Sequence, residues 1–306
     1  MTINKPLLGI CIPTFNRASC LKQCLDSIVV QFQNDGVRER VEIIISDNAS
    51  TDETESVVRE FVLTNPNIHY YRNEENLGVD RNILLSVSKT QAGFVWLLGD
   101  DDALFPDALN YILKELEQGE FKYCVVNCWG YNNSLEAPAL NHPNLDLKSD
   151  QYFKNPREYL KTAKVGKNLV GLFCGLSVQI FQRSLWQAMP DKEKYQGTNA
   201  VHLFVLLTAM KEQNFALLAK VLVKVRADNI RWDVFPGFET VNKRTAATYS
   251  ILNWILDFYN LPYSKFGLKL VYFKDIVESY IKIFIRKNIL RSQGSRDWLK
   301  KILGQF

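Results

Sequence analysis

The sequence predicts an α/β fold with a Rossmann-like, mostly parallel sheet flanked by helices. In the first 130 residues, short apolar runs alternate with segments whose apolar residues recur at helical spacing, which is typical of parallel strands joined by helices. Polar clusters follow several of these runs, where such sheets bind ligands. The composition, 47% hydrophobic and 23% charged residues, is that of a globular protein.

The first strand and helix are predicted from an apolar run and a cap. Residues 7–12 are apolar, and we expect Pro13 to end this strand. Asn16 is a suitable N-cap for the helix that follows. The apolar positions of this helix share one face: Leu21, Cys24, Leu25, Ile28 and Val29. The β-branched residues of the run 41–45 then predict a central parallel strand.

The following elements continue this alternation. Ser50-Thr-Asp-Glu53 matches a capping box at the start of a second helix. Residues 69–72 predict a third strand, and Gly93 separates the third helix from the apolar run 94–99. Pro106 begins another helix, and residues 123–129 predict a further strand.

The organisation of the chain changes after about residue 132. Residues 132–150 lack periodicity and predict a long loop. A strand over 175–181, a helix over 199–213 and a strand over 217–226 follow. Two or three basic, amphipathic helices are expected to finish the chain as a C-terminal helical extension.

The C-terminal part carries most of the positive charge. The chain has a net charge of +4, but residues 261–306 contain ten Lys and Arg against three Asp and Glu. Aliphatic and aromatic residues alternate with these cations, which suits either helices on an anionic membrane surface or helices docked on the body with a solvated basic face. Nucleic acid is a weaker alternative, because the rest of the chain is acidic and lacks a known reader motif.

The hydropathy of the chain favours a protein of the cytoplasm. No apolar run approaches the roughly 20 residues that span a bilayer. The N-terminal apolar stretch is interrupted by Pro13 and followed by Arg17, unlike a signal peptide. We therefore expect a cytoplasmic protein, with peripheral attachment to the inner face of the cytoplasmic membrane as an option.

Three consecutive carboxylates, Asp100, Asp101 and Asp102, end the apolar run 94–99. Three like charges beside a buried strand need a cation, and a hard divalent ion with few protein ligands completes its shell with water and phosphate oxygens. The alternative is a solvent-exposed acidic loop. We call these residues the Asp triplet.

Two other polar loops are expected to lie beside the Asp triplet. Thr14-Phe-Asn-Arg17 follows the first strand, and Asp47-Asn-Ala-Ser50 follows the second. Because the carboxyl ends of parallel strands meet at one edge of the sheet, these loops should form one crevice, which favours a nucleotide site.

These motifs together resemble those of the family 2 glycosyltransferases of GT-A fold, over roughly residues 7–230. The matching motifs are Ile12-Pro-Thr-Phe-Asn-Arg17, Ser46-Asp-Asn-Ala-Ser-Thr-Asp52, Asn76-Leu-Gly78, Asp80-Arg-Asn82 and Leu98-Gly-Asp-Asp-Asp102. Gly197-Thr-Asn-Ala-Val-His202 and Arg226-Ala-Asp-Asn229 look most like the abequosyltransferase-like enzymes of bacterial O-antigen and surface polysaccharide synthesis.

The resemblance implies a division of the chain by function. Residues 1–130 would be the nucleotide-sugar-binding half of the GT-A domain, and residues 131–235 the acceptor and catalytic half. Residues 236–306 would be the basic helical extension. The reaction would be inverting and metal-dependent, and would move a sugar from a nucleoside-diphosphate sugar to a lipid-linked saccharide.

The resemblance also implies roles for the donor-side residues. Asp47 would accept a hydrogen bond from the base, which favours a UDP- or dTDP-sugar because uracil and thymine carry a ring N–H. Pro13 and Thr14 would shape the base pocket, and Arg17 would lie near the phosphates. Further donor contacts are expected from Asn76, Arg81, Asp100, Asp101 and Arg226.

For the chemistry, Asp102 is the expected ligand of Mg²⁺ or Mn²⁺, with Asp100 or Asp101 assisting. The Glu-Asp pair that usually supplies the base in this family is missing, and aligning the helix by its following strand places His202 near that position. A histidine suits general-base work, although one on an apolar helix is often a core residue. Asp191 and Glu193 are the fallback candidates.

Two other functions are consistent with the same residues. A nucleotidyl- or phosphotransferase could use the Asp triplet, but the chain lacks a P-loop and a GxGxxG turn. A nucleotide-sugar-binding protein without catalysis would explain the missing Glu-Asp pair. Trp129 and Trp232 could stack on sugar rings, although a core position is expected for both.

Overall fold

The computed structural model describes residues 5–34, 36–162, 173, 175–227, 255, 257 and 258. The chain divides into two units, Met1–Ile230 and Arg231–Phe306. The predicted basic extension therefore lies almost wholly outside the described residues, as do Asp228, Asn229 and Trp232. Within the described part, no helix is long and apolar enough to cross a membrane.

The first half of the sheet is parallel and alternates strands with helices, as predicted. Its elements are β1 (Leu8–Thr14), α1 (Ala18–Val29), β2 (Val41–Asp47), α2 (Thr54–Thr64), β3 (Ile68–Arg72), α3 (Val79–Lys89) and β4 (Phe94–Leu97). The spatial order is β3-β2-β1-β4, and every pair in it is parallel. Strands β1 and β2 are buried along their whole length, so helices cover both faces of this half.

The second half of the sheet is mixed. Its elements are β5 (Ala103–Leu104), α4 (Ala108–Gln118), β6 (Tyr123–Tyr131), β7 (Gln151–Phe153), α5 (Pro156–Thr162), β8 (Gln179–Gln182), α6 (Arg183–Ala188), α7 (Val201–Ala209) and β9 (Phe215–Arg226). Strand β8 is antiparallel to both β4 and β6, whereas β6 and β9 are parallel. Among the described residues, the nine strands form one sheet.

The first strand continues through Pro13, contrary to the prediction that Pro13 ends it. The carbonyl of Cys11 accepts from Leu98 N, on the β4 side, and that of Thr14 accepts from Asn48 N, on the β2 side. Backbone groups alternate sides along a strand, so Pro13 faces the β4 side beyond Leu97, where β4 has ended. The missing N–H therefore breaks no ladder hydrogen bond.

Both predicted helix caps are wrong, and Asp52 takes their place. Its Oδ2 accepts from Ala18 N over 3.0 Å at the start of α1, and its Oδ1 accepts from Thr54 N over 3.1 Å at the start of α2. Asn16 instead accepts from Thr51 N over 2.7 Å, and Ser50 Oγ accepts from Asn16 N. One carboxylate thus joins the starts of two helices beside the crevice.

Two predicted elements of the second half are shorter than expected, whereas β6 and β9 are slightly longer. The expected strand 175–181 begins as a 3-10 helix, Leu176–Val178, before β8. The expected helix 199–213 is limited to α7. It begins later than expected because the chain reaches it through left-handed backbone at Gly197 and Asn199. Positive φ at these residues is incompatible with an earlier helix start.

Candidate active site

The loops after β1, β2 and β4 meet at the carboxyl edge of the parallel strands. Thr14 donates from Oγ1 to Asp100 Oδ2 over 2.7 Å. The backbone N–H of Asn16 donates to Ser50 Oγ over 2.9 Å. The predicted convergence of three loops is confirmed, and Pro13 lies buried at the end of β1 beside them.

Arg17 joins the β1 loop to the Asp triplet. Its Nη1 lies 2.5 Å from Asp101 Oδ2 and 3.4 Å from Asp100 Oδ1. Although burial opposes the charged form, Asp100 and Asp101 raise the pKa of Arg17. A single guanidinium therefore offsets part of the charge of two carboxylates.

Asp100 and Asp102 are the buried members of the Asp triplet, each 7% exposed. Burial, and then the charge of Asp101, raise the pKa of both carboxyls to about 7. Asp102 accepts from Ser177 Oγ through Oδ2 and from Arg226 N over 3.0 Å through Oδ1. Among the described residues, Arg17 is the one cationic side chain in ionic contact with the Asp triplet, so these two carboxylates have little compensating positive charge there.

Oxygen atoms of three side chains converge on the space beside Gly99. A Cβ atom at Gly99 would lie 3.1 Å from Asp101 Oδ1, 3.1 Å from Ser177 Oγ and 3.2 Å from Asp102 Oδ2. Among the described residues, no three Asp, Glu, His or Cys side chains enclose a metal by themselves. The arrangement fits a divalent ion held by one or two carboxylates and completed by ligand oxygens.

Asp47 is fully buried at the end of β2. Its Oδ1 accepts from Ser50 N over 2.9 Å, and its Oδ2 accepts from the Tyr70 hydroxyl over 2.6 Å. Burial and the hydrogen bond to Asp47 raise the pKa of Tyr70. In this structure Asp47 organises its own loop, and its contact with a donor base stays a prediction.

Asn76 belongs to a group of hydrogen-bonded asparagines, Asn48, Asn73, Asn76 and Asn82, which we call the amide cluster. Asn48 Nδ2 donates to Asn76 Oδ1 over 2.7 Å, and Asn48 Oδ1 accepts from Leu77 N over 2.9 Å. Asn73 Nδ2 donates to Asn48 and to Asn82. The cluster ties the loop between β3 and α3 to the end of β2. Asn76 itself is exposed at the rim.

Arg81 lies beside a cavity lined by residues of α3 and α6. Arg81 is exposed on α3 and borders a cavity of about 530 Å³ whose other described walls include Leu84, Leu85, Trp186 and Gln196. None of the described residues that line this cavity belongs to the loops of the Asp triplet. A contact of Arg81 with the donor diphosphate therefore stays a prediction.

His202 lies in the first turn of α7 and is 5% exposed. Asp80, in the first turn of α3, holds this helix start: Oδ2 accepts from Asn199 N over 2.9 Å and Oδ1 accepts from Val201 N over 3.0 Å. Asp191 and Glu193 are exposed on the preceding turn, as expected for a solvated charged loop.

Arg226 reaches the Asp triplet from the end of β9. Besides its backbone contact with Asp102, its Nε donates to the Asp101 carbonyl over 2.9 Å and its Nη2 donates to Gln23 Oε1 over 2.7 Å. It is 6% exposed. The guanidinium thus fastens the Asp triplet loop to α1 and β9, and a contact with a donor phosphate stays a prediction.

Two buried residues of the site were not found from the sequence. Ser177 accepts from Gly99 N over 2.8 Å and donates to Asp102, and its position in an apolar run suggested only a strand. Asp80 belonged to a quoted motif, but an acidic residue in the first turn of a helix is too common to predict a distant partner.

The fold joins a parallel half-sheet, whose loops carry the Asp triplet, to a mixed half-sheet. The last strand of the mixed half, β9, returns to the Asp triplet through Arg226. This is the arrangement of the GT-A class of glycosyltransferases. The TarS structure from S. aureus in complex with UDP has this fold: the TM-score is 0.59 at 13% identity, over 94% of this chain and 75% of that chain. The predicted fold class is confirmed.

The chain belongs to glycosyltransferase family 2, because the model of "Glycosyl transferase family 2" matches residues 9–185. It is 33% identical to the abequosyltransferase RfbV of Salmonella typhimurium, over 73% of this chain and 67% of the relative. It is 27% identical to a GalNAc(5)-diNAcBac-PP-undecaprenol beta-1,3-glucosyltransferase of Campylobacter jejuni, over 69% of this chain and 62% of the relative. The predicted resemblance is confirmed.

Proposed function

We propose that this enzyme transfers a sugar from a nucleoside-diphosphate sugar to a lipid-linked saccharide in bacterial surface polysaccharide synthesis. The observation that carries the proposal is the pair of buried, undercompensated carboxylates, Asp100 and Asp102, where three loops meet. The name of the Campylobacter relative supports a saccharide acceptor on a polyprenyl diphosphate carrier, and that of the Salmonella relative supports transfer of a sugar. The UDP complex of TarS supports a UDP- or dTDP-sugar.

The site fits Mg²⁺ or Mn²⁺, with Asp102 as the direct ligand. Asp101 is the favoured assistant, because its Oδ1 faces the same space beside Gly99, whereas Asp100 is held by Thr14. When bound, the ion neutralises the charge that grows on the leaving diphosphate. Arg17 and Arg226 hold the loop of the Asp triplet in place for this role.

The transfer is a single displacement with inversion at the anomeric carbon. The acceptor oxygen forms its bond to that carbon as the bond to the β-phosphate oxygen breaks, and the electron pair stays on the nucleoside diphosphate. The proton of the acceptor hydroxyl passes to His202, and the resemblance of Gly197-Thr-Asn-Ala-Val-His202 to the abequosyltransferase-like motif supports this role.

A thermal-shift screen of UDP-, dTDP-, GDP- and CDP-sugars with and without Mn²⁺ tests donor binding. Ligands that bind the folded state stabilise it, so a cognate donor should raise the melting temperature in the presence of the ion. If no nucleotide sugar stabilises the protein with Mn²⁺, the proposal fails.

Substitution of His202 separates catalysis from donor binding. We expect His202→Ala to bind the donor like the wild type while its transfer rate falls by a factor of about 10² to 10⁴, the usual contribution of a general base. Glu212→Ala, at an exposed position after α7, is the control and should leave the rate unchanged. Wild-type turnover in His202→Ala would contradict the assignment of the base.

A further inference from the structure

The start of α7 is held by Asp80, a residue of helix α3 in the first half of the fold. Asp80 is buried, at 4% exposure, and its two oxygens accept from the backbone of Asn199 and Val201 over 2.9 and 3.0 Å. The helix supplies no side-chain cap of its own, because its N-cap residue is Ala200. Asp80 therefore performs this function from α3.

The geometry of the chain before α7 makes this contact necessary. Gly197 and Asn199 have φ values of 86° and 55°, so the chain turns sharply just before the helix begins. The N–H groups at a helix start have no partner within the helix, and a negative charge there is favourable. Locally, Leu203 N donates to the Ala200 carbonyl over 2.9 Å, and Ala200 N donates to Thr198 Oγ1 over 3.2 Å. Asp80 adds a carboxylate to this helix start and bonds the N–H groups of Asn199 and Val201.

Asp80 is also rigidly connected to the donor side of the crevice. Two residues later, Asn82 accepts from Ser46 Oγ over 2.7 Å and donates to the Ser46 carbonyl over 2.8 Å. The same amide cluster fixes the loop that precedes α3. A continuous series of buried hydrogen bonds therefore runs from the end of β2 through α3 to α7.

We propose that Asp80 is a positioning residue that fixes His202 relative to the donor loops. His202 follows Val201 directly, so loss of the bond to the Val201 N–H releases the turn that carries the imidazole. This inference rests on the proposed role of His202 as base. It predicts a loss of turnover without a loss of donor affinity, because within the described residues the carboxylate of Asp80 bonds to Asn199 and Val201 at the start of α7.

The test is Asp80→Asn, which removes the charge and leaves one oxygen for two N–H donors. We expect kcat to fall about 10- to 100-fold, as for a catalytic group displaced by about 1 Å, with an unchanged donor KM. The matched control is Asp150→Asn. Asp150 likewise accepts from a distant backbone N–H, that of Ala219, over 2.7 Å, and from the Tyr111 hydroxyl. It should lose stability without losing kcat.

A spectroscopic readout distinguishes positioning from general destabilisation. The chain has three histidines, so the imidazole NMR signal of His202 can be assigned by His202→Ala. We expect Asp80→Asn to shift or broaden that signal and to leave those of His69 and His142 in place. An unchanged His202 signal and kcat, with a melting temperature lowered as in Asp150→Asn, would overturn the inference.

Two further outcomes, an Asp80→Asn variant that does not fold and a wild type without activity, also have a defined meaning. If Asp80→Asn does not fold, Asp80→Glu keeps the charge on a longer stem; we expect a folded protein with reduced kcat and a shifted His202 signal, and wild-type values of both would refute the positioning role. If the wild-type enzyme transfers no sugar from any donor, the proposed function fails, while the NMR comparison still tests the hold of Asp80 on α7.

Discussion

Each carboxylate of the Asp triplet has a different protein partner, although the three residues are identical and adjacent. Asp100 accepts from Thr14, Asp101 pairs with Arg17, and Asp102 accepts from Ser177. These partners orient the oxygens, but within the described part of the chain they bring only one cation, Arg17, into direct ionic contact. The imbalance is the physical reason to expect a divalent ion, because paired buried carboxylates are unfavourable without compensation.

Gly99→Ala tests the space that the oxygens of the Asp triplet surround. The added Cβ would crowd three oxygens at 3.1 to 3.2 Å, so we expect a loss of about 1–3 kcal/mol in the free energy of unfolding, together with loss of stabilisation by Mn²⁺. Thermal denaturation with and without the ion measures both. Gly93→Ala, whose Cβ would meet its nearest atom at 3.6 Å, should change neither. Full stabilisation by Mn²⁺ in Gly99→Ala would argue against this location of the ion.

The sequence predicted which residues approach the crevice better than it predicted their partners. Carboxylates after a buried strand have few explanations, so the Asp triplet was identifiable. The role of Asp80 depends on Val201, 121 positions away, and no local pattern encodes such a contact.

At the scale of elements, hydrophobic periodicity predicted the strands and helices of the first half. The errors lie at element ends, where tertiary contacts decide. Pro13 continues β1 because β4 is shorter than β1, and Asp52 replaces two local caps because α1 and α2 begin side by side. In the second half, the antiparallel direction of β8 was not predictable. The direction of a strand depends on the connection that leads to it, and the residue pattern of a four-residue strand does not reveal it.

Asn82→Ala tests the amide cluster that connects β2 to α3. Asn82 is buried and bonds to Ser46 and Asn73, so truncation leaves buried polar groups unsatisfied. We expect the free energy of unfolding, from urea denaturation, to fall by about 1–3 kcal/mol. Asn133→Ala, in an exposed loop, should change it by less than about 0.5 kcal/mol. Equal stability of the two variants would contradict the structural role of the cluster.

At the scale of the whole molecule, the basic C-terminal part is a candidate for contact with the membrane that would carry a lipid-linked acceptor. Residues 261–306 have a local charge of +7. Basic residues near an anionic surface contribute about 1 kcal/mol each, and the attraction weakens with salt. The alternative of helices docked on the body predicts no preference for anionic lipid.

Vesicle sedimentation distinguishes these two interpretations. We expect the chain to bind phosphatidylglycerol vesicles but not phosphatidylcholine vesicles, and to dissociate at high salt. The variant Lys282→Glu, Arg286→Glu, Lys287→Glu should lose binding. A control with three reversals at exposed positions of the first unit, Lys148→Glu, Lys154→Glu and Arg157→Glu, should keep it. Absence of binding to either lipid, or equal binding to both, would contradict a role for the basic segment.

The central claim is that the Asp triplet holds a divalent ion on which binding of the donor diphosphate depends. The most direct test is calorimetric titration with UDP, or with the diphosphate of the donor found by screening, in Mn²⁺ and in EDTA. Asp102→Asn is compared with Asp107→Asn. Asp107 is exposed and has a left-handed backbone conformation, which asparagine also adopts readily. We predict that the wild type and Asp107→Asn bind tightly only in Mn²⁺, and that Asp102→Asn binds weakly in both. Equal affinity of the wild type in Mn²⁺ and EDTA, or metal-dependent binding by Asp102→Asn, would contradict the claim.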